Sequence, residues 1–270
     1  MPGRARAPPG KGWFLRYVVE QIILAIRLLH YDPDLHALTG RTIHLAFESA
    51  GLAVLIGAVP AYLIGVRTTR SSRWALVLAN TGLGLPAVAV GIFLVLLTPE
   101  WYGTFTGMVA GQTVLSLPVI IALGAAAIRE LPDGLLEQAR AYGATEPRIA
   151  LLALVEARIG VLTAVIIALG SAIAEVGAVT IIGGNFEQNT ATLASEILND
   201  VIGHGFVGGL GESVVPPMVE HALVVVGLML VLAAILTIVQ QWGHLQRRQQ
   251  RRLAAAIPFE RPARVASMEQ

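Results

Sequence analysis

The stretch Glu137-Gln138-Ala139-Arg140-Ala141-Tyr142-Gly143-Ala144 lies between two long apolar runs, at approximately 104–128 and 159–183. Around it the polarity rises and helix punctuation returns. Leu131-Pro132-Asp133 can start a helix, Glu137 to Tyr142 are compatible with one, and Gly143 can end it in a left-handed conformation. Thr145 can then cap a second helix that carries Pro147 in its first turn and continues through the apolar Ile149 to Val155. The pattern predicts a helix–glycine–helix hairpin at a membrane surface, because both of its ends feed apolar segments. Taken alone, such a hairpin is also what any multi-spanning protein needs to join two spans.

The flanking runs belong to a wider pattern. Of the 270 residues, 55% are hydrophobic and 14% charged, and the mean hydropathy is +0.68, more apolar surface than a soluble core of this length can hide. Crossing a hydrocarbon core of about 30 Å takes about 20 helical residues. Runs of that size occur at approximately 43–66, 75–98, 104–128, 159–183 and 218–242. The expected fold is therefore all-α and polytopic, with five transmembrane helices. The segment Trp13 to Leu29 is shorter and carries Arg16, Glu20 and Arg27. It is either a sixth, first span with snorkelling ends or an amphipathic helix in the interface.

Charge sets the orientation. Arg67, Arg70 and Arg73 follow the first of the five spans, Arg129, Arg140, Arg148 and Arg158 lie between the third and fourth, and Arg247, Arg248, Arg251 and Arg252 follow the last. The alternate loops hold Asp32, Asp34, Glu100, Glu187, Glu196, Asp200 and Glu212 with only Arg41 to oppose them. Positively charged loops stay inside, so the arginine side and the C-terminus are expected to be cytoplasmic. Arg4, Arg6 and Lys11 then also belong inside, which requires the first helix to cross. Those three cations ahead of an apolar run imitate a signal peptide, but Glu20 and Arg27 interrupt the run and no small-x-small cleavage pattern follows, so the segment is expected to be retained.

The chain divides into a basic N-terminus with the first membrane or interfacial helix (1–35), a transmembrane domain with the hairpin near 129–158 (36–243), and a basic tail rich in arginine and glutamine (244–270), expected to anchor at the headgroups. Breakers mark the outer loops at Asp32-Pro33-Asp34, Thr98-Pro99-Glu100 and Pro216-Pro217. Zero cysteines exclude disulfides, thiol catalysis and cysteine metal sites. The six histidines show no zinc-type spacing, and a net charge of +1 gives no reason to expect a nucleic-acid partner. No G-x-x-x-x-G-K-[ST] phosphate loop is found, so ATP hydrolysis cannot be assigned to this chain.

The hairpin resembles the EAA loop of binding-protein-dependent ABC transporter permeases. Glu137, Ala139, Gly143 and Ala144 fit that pattern, Gln138 replaces its usual first alanine, and Val155-Glu156 stands where a Leu-Pro pair is customary. The likeness continues through Glu156 to Val165, Ala174-Glu175-Val176-Gly177-Ala178 and Ile182-Gly183-Gly184-Asn185, which is similar to permeases for molybdate and, more closely, for tungstate. It covers roughly 36–243 in organisation, with specific motifs only in 137–192. The resemblance implies a type I ABC importer permease fold in the inner membrane of a bacterium or archaeon. It implies that Glu137, Gln138, Ala139, Gly143 and Ala144 couple to a separate cytoplasmic ATPase dimer, which would bind the ATP and Mg, leaving no cofactor in this chain. It further implies a second copy of the chain, an extracytoplasmic solute-binding protein, and import of a tetrahedral oxyanion, tungstate or molybdate, by alternating access. The Thr-Arg element usual after Gly-Gly-Asn is here Asn189-Thr190-Ala191-Thr192, without the arginine.

Polar and small residues inside the spans are the candidates for a path or gate. Asn80, Gly84, Ala87 and Gly91 recur at helical spacing in the second span, as do Thr163, Gly170, Ala174 and Gly177 in the fourth. Such stripes let helices approach closely in lipid, and the same face can line a path. Gln112 and Ser116 share a face of the third span and can hydrogen-bond to neighbouring helices or to a passing oxyanion. Glu175, one turn after Ser171, is expected to tie helices at a gate, since a carboxylate in hydrocarbon is costly and repels an anion. Glu48 has His44 one turn away as a partner. Asn185, Thr190 and Thr192 open an external segment in which 190–202 can form a short amphipathic helix, expected from the resemblance to help form the outer mouth. Two other classes remain open: a proton-coupled secondary transporter or channel that uses Glu48 and Glu175, and a membrane-embedded enzyme. The absence of a recognisable internal repeat argues against the first, and the lack of any nucleophile or metal constellation against the second.

Overall fold

The computed structural model describes residues 23, 33–67, 69–132, 134–184, 189–203 and 215–256. The segment Trp13 to Leu29, apart from Ile23, lies outside the described residues, as do Asn185 and His204. All regular structure among the described residues is helical. Helix α1 (Pro33–Val66) is followed by α2 (Arg70–Gly82), α3 (Ala87–Leu97), a single 3₁₀ turn at Pro99–Trp101, and α4 (Phe105–Arg129). The chain then enters α5 (Leu135–Ala141), α6 (Glu146–Glu156), α7 (Arg158–Ala174), α8 (Gly177–Gly183), α9 (Leu193–Gly203) and α10 (Val215–Ala256).

The centre of the bundle is α1 laid along α4, with α7 packed against both. Small residues make this possible. Ala46, Ala50, Ala53, Gly57, Ala61 and Gly65 descend one face of α1 at steps of three and four, and all are buried. A Cβ on Gly57 would lie 3.0 Å from Ile120 Cγ2, and one on Gly65 2.8 Å from Ile128. Ala164, Ala168 and Ala172 of α7 complete the same core with Ile120 and Leu169. In lipid, helices gain from such close van der Waals contact rather than from excluding water. The main small-residue seam therefore runs along the first of the five expected spans, where the sequence reading did not place one.

Two expected spans are broken. The run at 75–98 forms α2 and α3, bent by 100°. Leu83, Gly84 and Leu85 bond back to Asn80, Thr81 and Gly82, so the helix tightens into three-residue turns and stops. Pro86 supplies the reason: it lacks a donor and pushes Leu85 away from helical geometry. The run at 159–183 is interrupted after Ala174, where Glu175 is extended at ψ 125°. These breaks overturn the two small-residue stripes as continuous faces, since Asn80 and Gly84 are separated from Gly91, and Thr163 and Gly170 from Gly177. Their glycines serve a different contact. A Cβ on Gly91 would meet Ala178 Cα at 3.1 Å, and one on Gly177 would meet Val88 Cγ2 at 2.7 Å, so the two short segments α3 and α8 lie directly on each other.

Three helices are long and apolar enough to cross a membrane singly: α1, α4 and the 221–243 part of α10. Among the described residues the number rises to at most five if α2 with α3, and α6 with α7, which are bent by 72°, each count as one crossing. Helix α10 has 42 residues and continues without interruption through 244–256, so this part of the basic tail prolongs the last helix. The rest of the tail, 257–270, lies outside the described residues.

Candidate functional site

The hairpin is built on a complete C-terminal cap. Gly143 has φ +81°, its N–H donates to Arg140 O at 2.9 Å, and the Ala144 N–H donates to Ala139 O at 3.0 Å. This pair of bonds is the Schellman arrangement, in which a residue without Cβ occupies the left-handed position and a small contact closes behind it. Ala139 and Ala144, both expected coupling residues, supply that contact by packing against one apolar cluster. Glu137, Gln138 and Gly143 lie exposed along the same hairpin. A second left-handed glycine, Gly134 at φ +82°, precedes α5. Helix α6 starts after Thr145 with Pro147 in its first turn, as the sequence suggests, although the Thr145 side chain makes no capping bond.

The hairpin is fastened to the bundle by residues the sequence reading did not single out. Ile149, Ala153 and Ala157 are buried against Tyr62 and Ile128, the ends of α1 and α4. The Glu146 carboxylate accepts from Arg140 Nε at 3.1 Å and from the Tyr62 hydroxyl at 3.2 Å. One side chain thus joins both arms of the hairpin to α1. The hydrogen bond from Arg140 holds the Glu146 carboxyl below the usual carboxylate range and raises the guanidinium in return. Arg129 Nη2 donates to Ile64 O at 3.0 Å, closing a carbonyl in the last turn of α1. At the tip, Tyr142 is 91% exposed. A signal for the clamp was available in the sequence, because Arg140 and Glu146 flank a turn that brings them together, but the partner Tyr62 is 84 positions away.

The candidate path residues do not converge on one surface. Gln112 and Ser116 are 1% and 2% exposed, and among the described residues Gln112 Oε1 and Nε2 and Ser116 Oγ have no hydrogen-bond partner. Of the two alternatives, bonds to neighbouring helices are not made among the described residues. Thr180 of α8, absent from the sequence-based candidates, also has a buried hydroxyl without a partner among the described residues. Asn80 and Ser171 are exposed, and Thr163 bonds back to Ile159 O at 2.9 Å. Glu175 Oε1 accepts from the Gly177 and Ala178 amides at 2.7 and 3.2 Å. It caps the start of α8 within its own segment, so the expected tie between helices is replaced by a local one.

The segment 189–203 is bonded both to the bundle and within itself. Thr190 Oγ1 donates to Gly183 O at 2.6 Å, and the Leu193 N–H donates to Thr42 Oγ1 at 3.0 Å. Thr192 and Ser195 exchange backbone-to-hydroxyl bonds of 2.9 and 3.2 Å, a reciprocal cap at the start of α9. His44 and Glu48 pair at 2.8 Å on an exposed face of α1, with the imidazole stacked on Phe105. Among the described residues no group of three or more His, Asp or Glu could hold a metal ion.

Known proteins resemble this chain in sequence and in fold. A family model described as a binding-protein-dependent transport system inner membrane component matches residues 53–249, which include the whole hairpin. The chain is 33% identical over 174 residues to a probable anion ABC transporter permease protein of Haloferax volcanii, a match covering 62% of this chain and 75% of that one. It is 26% identical over 159 residues to the tungstate uptake system permease protein TupB of Campylobacter jejuni, covering 56% and 66% respectively. Among solved structures, the inward-facing methionine ABC transporter MetNI shares the fold with a TM-score of 0.57 at 20% identity, over 80% of this chain and 95% of that chain.

Proposed function

From the premise that this chain belongs to the family of binding-protein-dependent transport system inner membrane components, we propose that it is the permease of an ATP-driven importer for a tetrahedral oxyanion, tungstate first and molybdate second. It is an ABC importer permease with the helical fold of that group. The observation that carries the mechanism is the hairpin: a rigid left-handed turn with an exposed aromatic tip, joined through Glu146 and Tyr62 to α1. A groove on a separate ATPase would receive α5 and its Gly143 turn, and movement of that groove would reach the bundle through the clamp. ATP and Mg would be bound by the ATPase, with the arginine-rich side and the C-terminus in the cytoplasm. A second copy of the chain would complete the permease, and an external binding protein would deliver the solute.

Support for an anion comes from the named relatives in Haloferax volcanii and Campylobacter jejuni. The unpartnered polar atoms of Gln112 and Ser116 support a polar path through the bundle, because a buried donor or acceptor left unmade costs about 1–3 kcal/mol and is tolerable where a polar guest passes. Neutral donors conduct an anion without trapping it. Asn80, Thr163, Ser171, Asn185, Thr190 and Thr192 stay in the proposal as residues of the path or mouth, with Glu175 shaping the gate by capping α8. The proton-coupled alternative loses support, since Glu175 is engaged by two amides and Glu48 by His44. Competition uptake by the complete complex tests the substrate. Tungstate and molybdate should suppress uptake of labelled tungstate, while methionine and phosphate should not. Transport of methionine that neither oxyanion inhibits would overturn the oxyanion assignment and leave the permease reading standing.

A further inference from the structure

At the hairpin end of the bundle a cavity of about 760 Å³ opens between the ends of α1 and α4, the start of α2 and the inner face of α5. Three arginines line it, Arg73, Arg129 and Arg140, against one carboxylate among the described residues, Glu137. Its remaining walls are largely apolar, with Val66, Ile128 and Leu136 among them. A second cavity of about 300 Å³ adjoins it through the shared Arg73 and is completed by Arg70, Trp74 and Val77. Among the described residues neither Arg73 nor Arg129 has a carboxylate at ion-pair distance. Arg129 is also fixed in place by its bond to Ile64 O.

Helix α2 begins with Arg70 and Arg73 and has no acidic residue in its first turn. Cations at a helix N-terminus oppose the dipole, and the first turn of α2 supplies no carboxylate to offset them. Beyond it, Trp74, Val77 and Leu78 form an apolar face exposed by 61, 50 and 71%. Basic pockets next to such a face, with tryptophan at headgroup level, suit a phosphate attached to hydrocarbon better than a free ion.

We propose that the paired cavities bind the phosphate headgroup of an anionic phospholipid, whose acyl chains lie along Trp74, Val77 and Leu78. The ATPase is the less fitting occupant. Leu136, Glu137 and Arg140 line the cavity, whereas Tyr142, at the far end of α5, is exposed and outside it. Docking through the Gly143 turn and the outward face of α5 leaves the cavity on its inner face free. The proposal needs only that the hairpin lies at the headgroup level of a bilayer, and it stands or falls independently of the transported solute.

The test uses the full chain reconstituted in three preparations: phosphatidylcholine with phosphatidylglycerol, phosphatidylcholine alone, and phosphatidylcholine with inorganic phosphate in the buffer. Lipid retained through detergent extraction is counted by native mass spectrometry, and thermal stability is followed in parallel. Phosphatidylglycerol should be retained and raise the melting temperature, and inorganic phosphate should do neither. R73Q should weaken retention roughly fivefold, and R70Q/R73Q on the order of thirtyfold, from the field of each arginine near the surface. R70K/R73K should restore most of it, which separates lost charge from lost folding. Equal phosphatidylglycerol retention by wild type and R70Q/R73Q would overturn the proposal. A stability gain from inorganic phosphate alone would overturn it in favour of a free anion. Unchanged lipid retention with loss of ATPase binding in R70Q/R73Q would assign the cavity to the protein partner instead.

Discussion

Tyr142 ends α5 with its ring in solvent, one residue before Gly143, which holds the left-handed conformation that favours glycine. An exposed aromatic on a rigid turn is the kind of side chain that anchors an interface, where such groups contribute about 2 kcal/mol or more. Tyr142→Ala should therefore leave membrane insertion intact and weaken ATPase binding by on the order of thirtyfold, read as a Kd on the reconstituted partners. Gly143 behaves differently, because a Cβ there would meet nothing within 4 Å. The cost of Gly143→Val is the backbone's, about 1–2 kcal/mol for a side chain held left-handed. Docking or transport-coupled hydrolysis should fall, and normal coupling in that variant would remove the hairpin from the mechanism. Glu146 adds a pH dependence of known sign. Its folded-state value lies below the usual carboxylate range because Arg140 donates to it. Its contribution is present above that range and is lost as the pH falls through the lowered value. A nitroxide carried by Arg148→Cys should gain mobility on acidification, and Glu146→Gln should abolish the transition.

At the scale of elements, the contact of α1 with α4 depends on glycine more than on any large side chain. Gly65→Val would bring new methyl groups into Ile128, whose Cβ and Cγ2 already lie 2.8 Å from the position of a first carbon. Overpacking of this kind typically costs about 1–3 kcal/mol. Gly51, on the same helix, has nothing within 4 Å of its Cβ position, and Gly51→Ala should instead stabilise by roughly 0.5–1 kcal/mol through helix propensity. Opposite shifts in melting temperature of the purified chain test the pair, and equal shifts would contradict the close seam. The short helices α3 and α8 follow the same rule. Each begins just after a break, at Pro86 or Glu175, and glycines at 91 and 177 allow them to touch. Pro86 was visible in the sequence, but a window averaged for hydropathy reads across it. One proline is diluted in a window of about 20 residues, so the 100° bend between α2 and α3 left no mark on the span count.

For the whole molecule, the arginine bias predicts one orientation in the membrane, which a sequence without cysteine makes easy to test. Cysteines introduced at 70, 142 and 250 should be shielded from an impermeant external reagent, while those at 100 and 204 should react. External labelling at 142 together with protection at 204 would reverse the orientation. Energisation follows from the same arrangement: uptake should require the nucleotide-hydrolysing partner and survive collapse of the proton gradient while ATP is maintained. Uptake by this chain alone, driven by a pH gradient in liposomes, would return Glu48 and Glu175 to the role of proton carriers.

The sequence by itself determined the helical membrane class, the approximate positions of the long apolar runs and the glycine turn of the hairpin. Each of these is written locally, in hydropathy over about 20 residues or in the conformational freedom of a single residue. Tertiary structure decided which polar groups are committed. Thr190 is bonded to Gly183, Thr42 to α9 and Glu175 to the start of α8, whereas Gln112 and Ser116 are buried without partners among the described residues. It also decided that Glu146 reaches Tyr62 and that Arg73, Arg129 and Arg140 share one cavity. Those facts depend on which helix faces lie against one another, and a residue's partners across 84 positions leave no periodic trace in either segment.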